Sequence, residues 1–157
     1  MKTLAFLSAL SVMTAHSAPA ADEPAAAERA RAEVAKSLAD MGAAANAHDV
    51  ERHVGFYAHD PEVTLIFNGV PIVGWEAIRD QQRKWWKDGK TDVVYTPQGK
   101  PDFRVLGPTV VVTTLLMKSR RTGPSGEVSE GAFAVSDVWQ KRTEGWRVIY
   151  GHESTAH

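Results

Sequence analysis

The sequence predicts an α+β domain in which three N-terminal helices pack on a strongly curved, mostly antiparallel sheet. Three observations lead there: a helical apolar stripe between Val34 and Ala45, a strand–turn–strand pattern around Asn68-Gly69, and nearly continuous β-rich sequence from Val93 to Ser154. Helices that precede the strands, rather than alternating with them, segregate into a layer of their own. Pro97, Gly99, Pro101 and Gly107 interrupt the β-rich part and let long strands bend into an open cone.

Residues 1–20 stand apart from this domain. Lys2 is followed by ten apolar or small residues, Leu4 to Met13, and then by Ala18-Pro19-Ala20. That is the charge, apolar core and small-x-small order of a secretory signal peptide. The apolar run is shorter than the ~20 residues that a membrane-spanning helix needs, so export to the periplasm or medium is expected, with no membrane segment after removal. The remaining 137 of 157 residues suffice for one domain with a real core. Loss of Lys2 moves the formal net charge from −1 to −2. A chain of that charge, with no basic stripe, lacks the counterion-releasing surface of a nucleic-acid binder. There are no cysteines, which excludes thiolate nucleophiles, thiolate metal sites and disulfide stapling.

The elements follow in order. Residues 21–33 form an Ala-rich, charged lead-in that either frays or extends the first helix, and the domain proper is assigned to 34–157. Val34, Leu38, Met41 and Ala45 recur at spacings of four, three and four, one face of a helix. Asp49 is placed to cap a second, short helix from Val50 to Tyr57. Pro61 forces its predecessor out of helical space, and Val63–Phe67 then reads as a buried strand. Asn68-Gly69 is a hairpin-turn dipeptide leading to a short strand, Val70–Val73. Trp75 to Asp88 reads as a third helix ended by Gly89. Val93–Tyr95 and Phe103–Leu106 form one interrupted strand or two. Thr109–Arg120, Glu127–Arg142 and Trp146–Ser154 are long strands, the last two joined around Thr143-Glu144-Gly145.

This order of elements resembles the NTF2-like superfamily, and within it the SnoaL-like and DUF4440-like groups. His48-Asp49, the run Phe56-Tyr57-Ala58-His59-Asp60-Pro61, and Gly74-Trp75-Glu76-Ala77-Ile78 carry the likeness. The closing stretch from Val138 to Ser154 is similar to the last hairpin of SnoaL-like domains related to the association domain of calmodulin-dependent kinase II, whose terminal His-x-Ser matches His152 and Ser154. The resemblance implies a cone that holds a small apolar or amphipathic molecule, with no cofactor, and the long β-branched strands and sheet tryptophans fit a homodimer. It does not imply one reaction, because the fold hosts isomerases, dehydratases, cyclases and non-catalytic binding or assembly modules. Ketosteroid isomerase-like members carry an Asp base at the end of the first strand, where this chain has Ile66-Phe67. The Asp-Arg-Asp set of epoxide hydrolase-like members has no counterpart. An arginine of the kinase association-domain pocket falls at Asp137.

Candidate chemistry concentrates on the last hairpin. A two-residue turn at Thr143-Glu144 pairs Arg142 with Gly145 and sets Val135 opposite His152 and Asp137 opposite Tyr150. Asp137 and His152 are then diagonal neighbours on one face, roughly 7 Å apart between backbones. A three-residue turn shifts the register by one and separates them. In the first register, Asp137 orients His152 as a general acid or base, and Tyr57 donates a hydrogen bond to a substrate oxygen. The competing reading makes Asp137 and His152 a structural hydrogen-bonded pair. Trp86, Phe133, Tyr150 and Ser154 are the candidate ligand-binding residues, while Trp75, Trp139 and Trp146 read as packing residues. His48, His53, His59 and His157 lack the i, i+4 helical pairing of zinc hydrolases, so no metal is expected.

Overall fold

The computed structural model describes residues 22–123 and 125–155; the signal peptide expected at 1–20 lies outside them. Helices α1 (Asp22–Asn46) and α2 (Val50–Val54) precede the hairpin β1 (Thr64–Phe67) and β2 (Val70–Val73). Helix α3 (Trp75–Trp86) leads to β3 (Val94–Pro97), β4 (Asp102–Gly107), β5 (Val110–Thr122), β6 (Val128–Arg142) and β7 (Gly145–Thr155). None of the described helices is long and apolar enough to cross a membrane.

The lead-in is helical from Asp22, so α1 spans six turns and more without a break at residue 33. Its buried face runs through Ala30, Val34, Met41 and Ala45, with Leu38 packed at the margin. Asp49 caps α2 by accepting the Arg52 N–H at 3.1 Å. That helix stops at Val54 rather than Tyr57, because the next residues turn to pair with the sheet. Ala58 N–H donates to the Val148 carbonyl and Val148 N–H to the Phe56 carbonyl, both at 2.8 Å. Helix α3 ends at Trp86, two residues before the expected stop, where Lys87 and Asp88 already have φ of 50° and 52°. Asn68 and Gly69, with φ of 48° and 83°, form the left-handed two-residue turn that Asn-Gly favours.

The seven strands form one sheet in the order β2-β1-β7-β6-β5-β3, with β4 also on β5. All pairings are antiparallel except β1 with β7. The Pro97–Pro101 break divides the interrupted strand in two: β3 lies along the C-terminal half of β5 and β4 along its N-terminal half. The helices cover the concave face, and the core between the layers contains Val34, Val54, Leu65, Ile78, Val111, Trp139 and Val148. Trp139 is fully buried and donates to Thr113 Oγ1 at 3.0 Å. Trp146 packs against α1 and donates to Glu33 at 2.7 Å. Trp75, half-buried, donates to the Val54 carbonyl at 3.1 Å.

The last hairpin decides the site. Its turn is the two-residue one, with Arg142 opposite Gly145, and that register holds as far as Trp139 opposite Val148. There β7 carries one extra residue, Ile149, and beyond this bulge Val138 faces Tyr150, Asp137 faces Gly151, Ser136 faces His152 and Val135 faces Glu153. A one-residue slip moves side chains to the opposite face. The expected Asp137–His152 neighbourhood is therefore corrected: Glu153 occupies the inner position that the unbulged register gives to His152.

A candidate active site on the floor of the cone

The concave face encloses a cavity of about 750 Å³ between α1, α2, α3 and the inner side of β5–β7. Its walls are mainly apolar and aromatic, including Leu38, Phe67, Trp85, Trp86, Leu115, Met117 and Phe133. That composition, with a few polar groups on one side, is typical of small-molecule sites. Trp85 and Trp86 both line it although they point in different directions; Trp86 is buried, and Trp85 packs on Phe67 with centroids 4.7 Å apart. Trp86 Nε1–H donates to the Tyr95 hydroxyl at 3.0 Å, which ties α3 to β3.

Asp137 lines the floor with 1 % of its surface exposed. Its carboxylate has room because residue 151 is glycine: a Cβ there would sit 2.9 Å from Asp137 Oδ1 and 3.2 Å from Leu65 Cδ1. Oδ1 is buried and has no hydrogen-bond partner among the described residues. Burial, and secondarily the charge of Glu153, push the Asp137 carboxyl up to about 8, because the low-dielectric surround disfavours the anion. Glu153 lies on the same face, one pleat along β7 from Gly151, and so is a diagonal neighbour of Asp137 at roughly 7–8 Å between backbones. It is half-buried and lines the cavity, and burial raises it to about 7.

Two more polar groups complete the floor. Tyr57 is 2 % exposed, and its phenol is held well above its ordinary range by burial and then by Asp137 and Glu153. His53 packs on Trp86 and Tyr57, with centroids 5.0 and 6.2 Å away. Its Nδ1 lies 3.3 Å from the Met41 carbonyl; a carbonyl only accepts, so Nδ1 carries the proton and Nε2 is left as an acceptor. Burial lowers this imidazole to about 4, so it is neutral at pH 7.

Of the residues picked out in the sequence, Asp137, Tyr57, Trp86 and Phe133 line this cavity together. His152, Tyr150 and Ser154 do not. They lie on the convex face, in register with Ser136, Val138 and Ala134, and Tyr150 is 42 % exposed. The spacing of the sequence did not reveal Glu153 or His53. The available signal for Glu153 was Gly151: a glycine inside a long strand often marks close approach of another group, here the carboxyl of Asp137.

The chain matches the SnoaL-like domain family over residues 27–150. None of the curated proteins matches it. Among solved structures it is similar to an NTF2-like superfamily protein from Salmonella enterica serovar Typhimurium, with 19 % identity, TM-score 0.72, and coverage of 83 % of this chain and 93 % of that one. It is also similar to a ketosteroid isomerase-like protein from Erwinia carotovora atroseptica, at 16 % identity and TM-score 0.65, covering 80 % and 95 % of the two chains. An NTF2-like protein with a cystatin-like fold from Novosphingobium aromaticivorans aligns at 17 % identity and TM-score 0.68 over 82 % of each chain. At these identities the structures speak for the fold alone. With the family match spanning most of its length, the chain belongs to the SnoaL-like domain family.

Proposed function

We propose that the cone binds a small apolar or amphipathic molecule and moves a proton on it, chemistry of the isomerase, dehydratase or cyclase kind. One observation carries this reading: Asp137 is a fully buried carboxyl group on the floor of an apolar cavity, with an oxygen that has no partner among the described residues. Leaving a buried polar atom unsatisfied costs about 1–3 kcal/mol, a cost that a bound substrate offsets.

The roles follow from burial: Asp137 is fully buried and Glu153 only half-buried, so the anion is the more costly on Asp137. Asp137 holds its proton at pH 7 and donates a hydrogen bond, and Tyr57 supplies a second donor beside it. Together they stabilise negative charge developing on a substrate oxygen. Glu153 gives up its proton more readily and acts as the base. Two acids whose environments separate their proton affinities divide into donor and base in this way. Glu153 takes a proton from carbon next to a carbonyl; its return to another carbon gives isomerisation, and its departure with a β-hydroxyl as water gives dehydration. The position supports the assignment: Glu153 is the register partner of Phe67, the residue that stands where ketosteroid isomerase-like members carry their base. Deuterium incorporation into apolar ketones in D₂O, followed by proton NMR, tests it. Asp137→Asn and Glu153→Gln are expected to slow exchange by about 10²–10⁴-fold. Exchange that survives both substitutions would overturn the assignment.

The convex face supports a second, compatible reading, a homodimer formed sheet to sheet. Leu116 and Tyr150 are 57 % and 42 % exposed there, beside Val112, Ala134 and Val138 in the same ladders. These apolar residues flank a hydrogen-bonded polar rung, Thr114 and Ser136 at 3.2 Å, and exposed apolar side chains on a sheet face suit an interaction site. Leu116→Glu is expected to shift the sedimenting species from dimer to monomer. Export of the chain is likewise our reading, supported by the signal-peptide pattern of residues 1–20; N-terminal sequencing of the cell-exported protein, with Ala21 first, checks it.

A further inference from the structure

We infer that the ligand is an elongated amphipathic anion whose charged end is held by Arg121 at the mouth of the cone while its other end reaches Asp137 and Glu153. This rests on the binding reading above and names the chemical class it admits. The inner rungs of the β5–β6 ladder run, from the floor outward, Thr113/Asp137, Leu115/Val135, Met117/Phe133, Ser119/Gly131 and Arg121/Ser129. The order is acid, two apolar rungs, a small rung and a cation. Asp137 and Arg121 line the same cavity, four inner rungs apart along this ladder. A ligand that touches both ends lies along the apolar rungs between them.

The Arg121 guanidinium lies beside the Tyr95 hydroxyl, a neutral neighbour that leaves its charge available for an anion. Among the described residues no carboxylate lies within 4.0 Å of it. The acids near it along this edge have other partners: Asp92 accepts the Thr122 N–H at 2.6 Å, and Glu127 accepts from Ser125. In the opposite orientation the ligand's apolar end would face the Arg121 guanidinium and leave that charge unmatched. Gly131 and Ser119 put little side-chain bulk on the inner face between Phe133 and Arg121. The other cation lining the cavity, Lys100, sits on the loop after β3. Gln98 in that loop bonds the Leu116 carbonyl at 2.7 Å, so Lys100 flanks the middle of β5, not its end.

Binding of dodecanoate, dodecanol and dodecyltrimethylammonium below their micellar concentrations, followed by the fluorescence of Trp85 and Trp86 and by calorimetry, tests the inference. Dodecanoate is expected to bind about tenfold or more tightly than dodecanol, as a charge-assisted guanidinium contact allows. Arg121→Gln is expected to remove that preference and leave dodecanol binding unchanged, while Lys100→Gln preserves it. Equal affinity for acid and alcohol, tighter binding of the cation, or a preference that survives Arg121→Gln would each overturn the role of Arg121 and leave the binding cavity standing. If none of the three chains binds, the cavity reading and this inference fall together.

Discussion

On the inner face of the β6–β7 ladder, Asp137 and Glu153 sit among Tyr57, Leu65 and Val135; on the outer face, Tyr150, His152 and Ser154 meet Val138, Ser136 and Ala134. Both faces carry polar groups suited to acid–base work, and they are interleaved in one short stretch of β7. The inner carboxyls are displaced far from their ordinary range by burial. The outer imidazole, by residue type the more familiar proton carrier, is separated from the cavity by the thickness of the sheet. Which residue becomes the reactive one is thus set by side of the sheet, and the side is set by the single bulge residue Ile149.

Substitutions that differ only in face sharpen this contrast. The largest effect is expected from Trp139→Ala, which removes a fully buried indole and its bond to Thr113. It should cost about 3–5 kcal/mol in denaturant unfolding, against about 0.5 kcal/mol or less for Tyr150→Ala measured on the monomer. On activity, His152→Ala is expected to leave deuterium exchange unchanged where Asp137→Asn abolishes most of it; equal losses would erase the distinction between the faces. Gly151→Ala comes next. Its new methyl group would press on Asp137 Oδ1 and Leu65, with a cost of about 1–3 kcal/mol, whereas Gly131→Ala, which meets only the Ser119 hydroxyl, should cost less.

The pH dependence of stability gives a subtler test. Asp137 and Glu153 have native proton affinities raised above those of the unfolded chain. The native state therefore holds more protons than the unfolded state, and stability falls as pH rises from the unfolded carboxylate range towards about 8. His53 acts in the opposite sense: its affinity is lowered from 6.5 to about 4, so its contribution is complete above 6.5 and is lost as pH falls. The two trends offset each other in mildly acidic solution and separate above it. Thermal melts between pH 6.5 and 8 should show a decline in Tm that Asp137→Asn flattens, and a decline unchanged by the substitution would assign the slope to other groups.

Much of the fold was legible because local chemistry and tertiary packing agree. The Val34–Ala45 stripe, the Asn68-Gly69 turn and the Thr143-Glu144 turn each match their surroundings, and the Pro97–Pro101 interruption marks where β3 gives way to β4. Half of the site was legible for the same reason: Asp137, Trp86 and Phe133 follow from strand alternation and helix phase. The rest depends on contacts distant in sequence. Alternation along β7 carries no marker for an extra residue, since Val148, Ile149 and Tyr150 are all β-favouring. What holds Val148 in place is its pairing with Phe56 and Ala58, a segment whose helical pattern reads as a continuation of α2. Misplacing that one residue exchanges His152 for Glu153. His53 was passed over because its value comes from the Trp86 and Tyr57 rings around it, not from its spacing to other histidines.

The most direct measurement is a titration of the side-chain carboxyl ¹³C resonances of Asp137 and Glu153 in the ligand-free protein, assigned with Asp137→Asn and Glu153→Gln. A floor that stores a proton for chemistry gives midpoints near 8 for Asp137 and near 7 for Glu153. Midpoints for both in the ordinary carboxylate range, about 4, would mean that the two groups are solvated surface acids, and the acid–base site on the floor of the cone would be refuted.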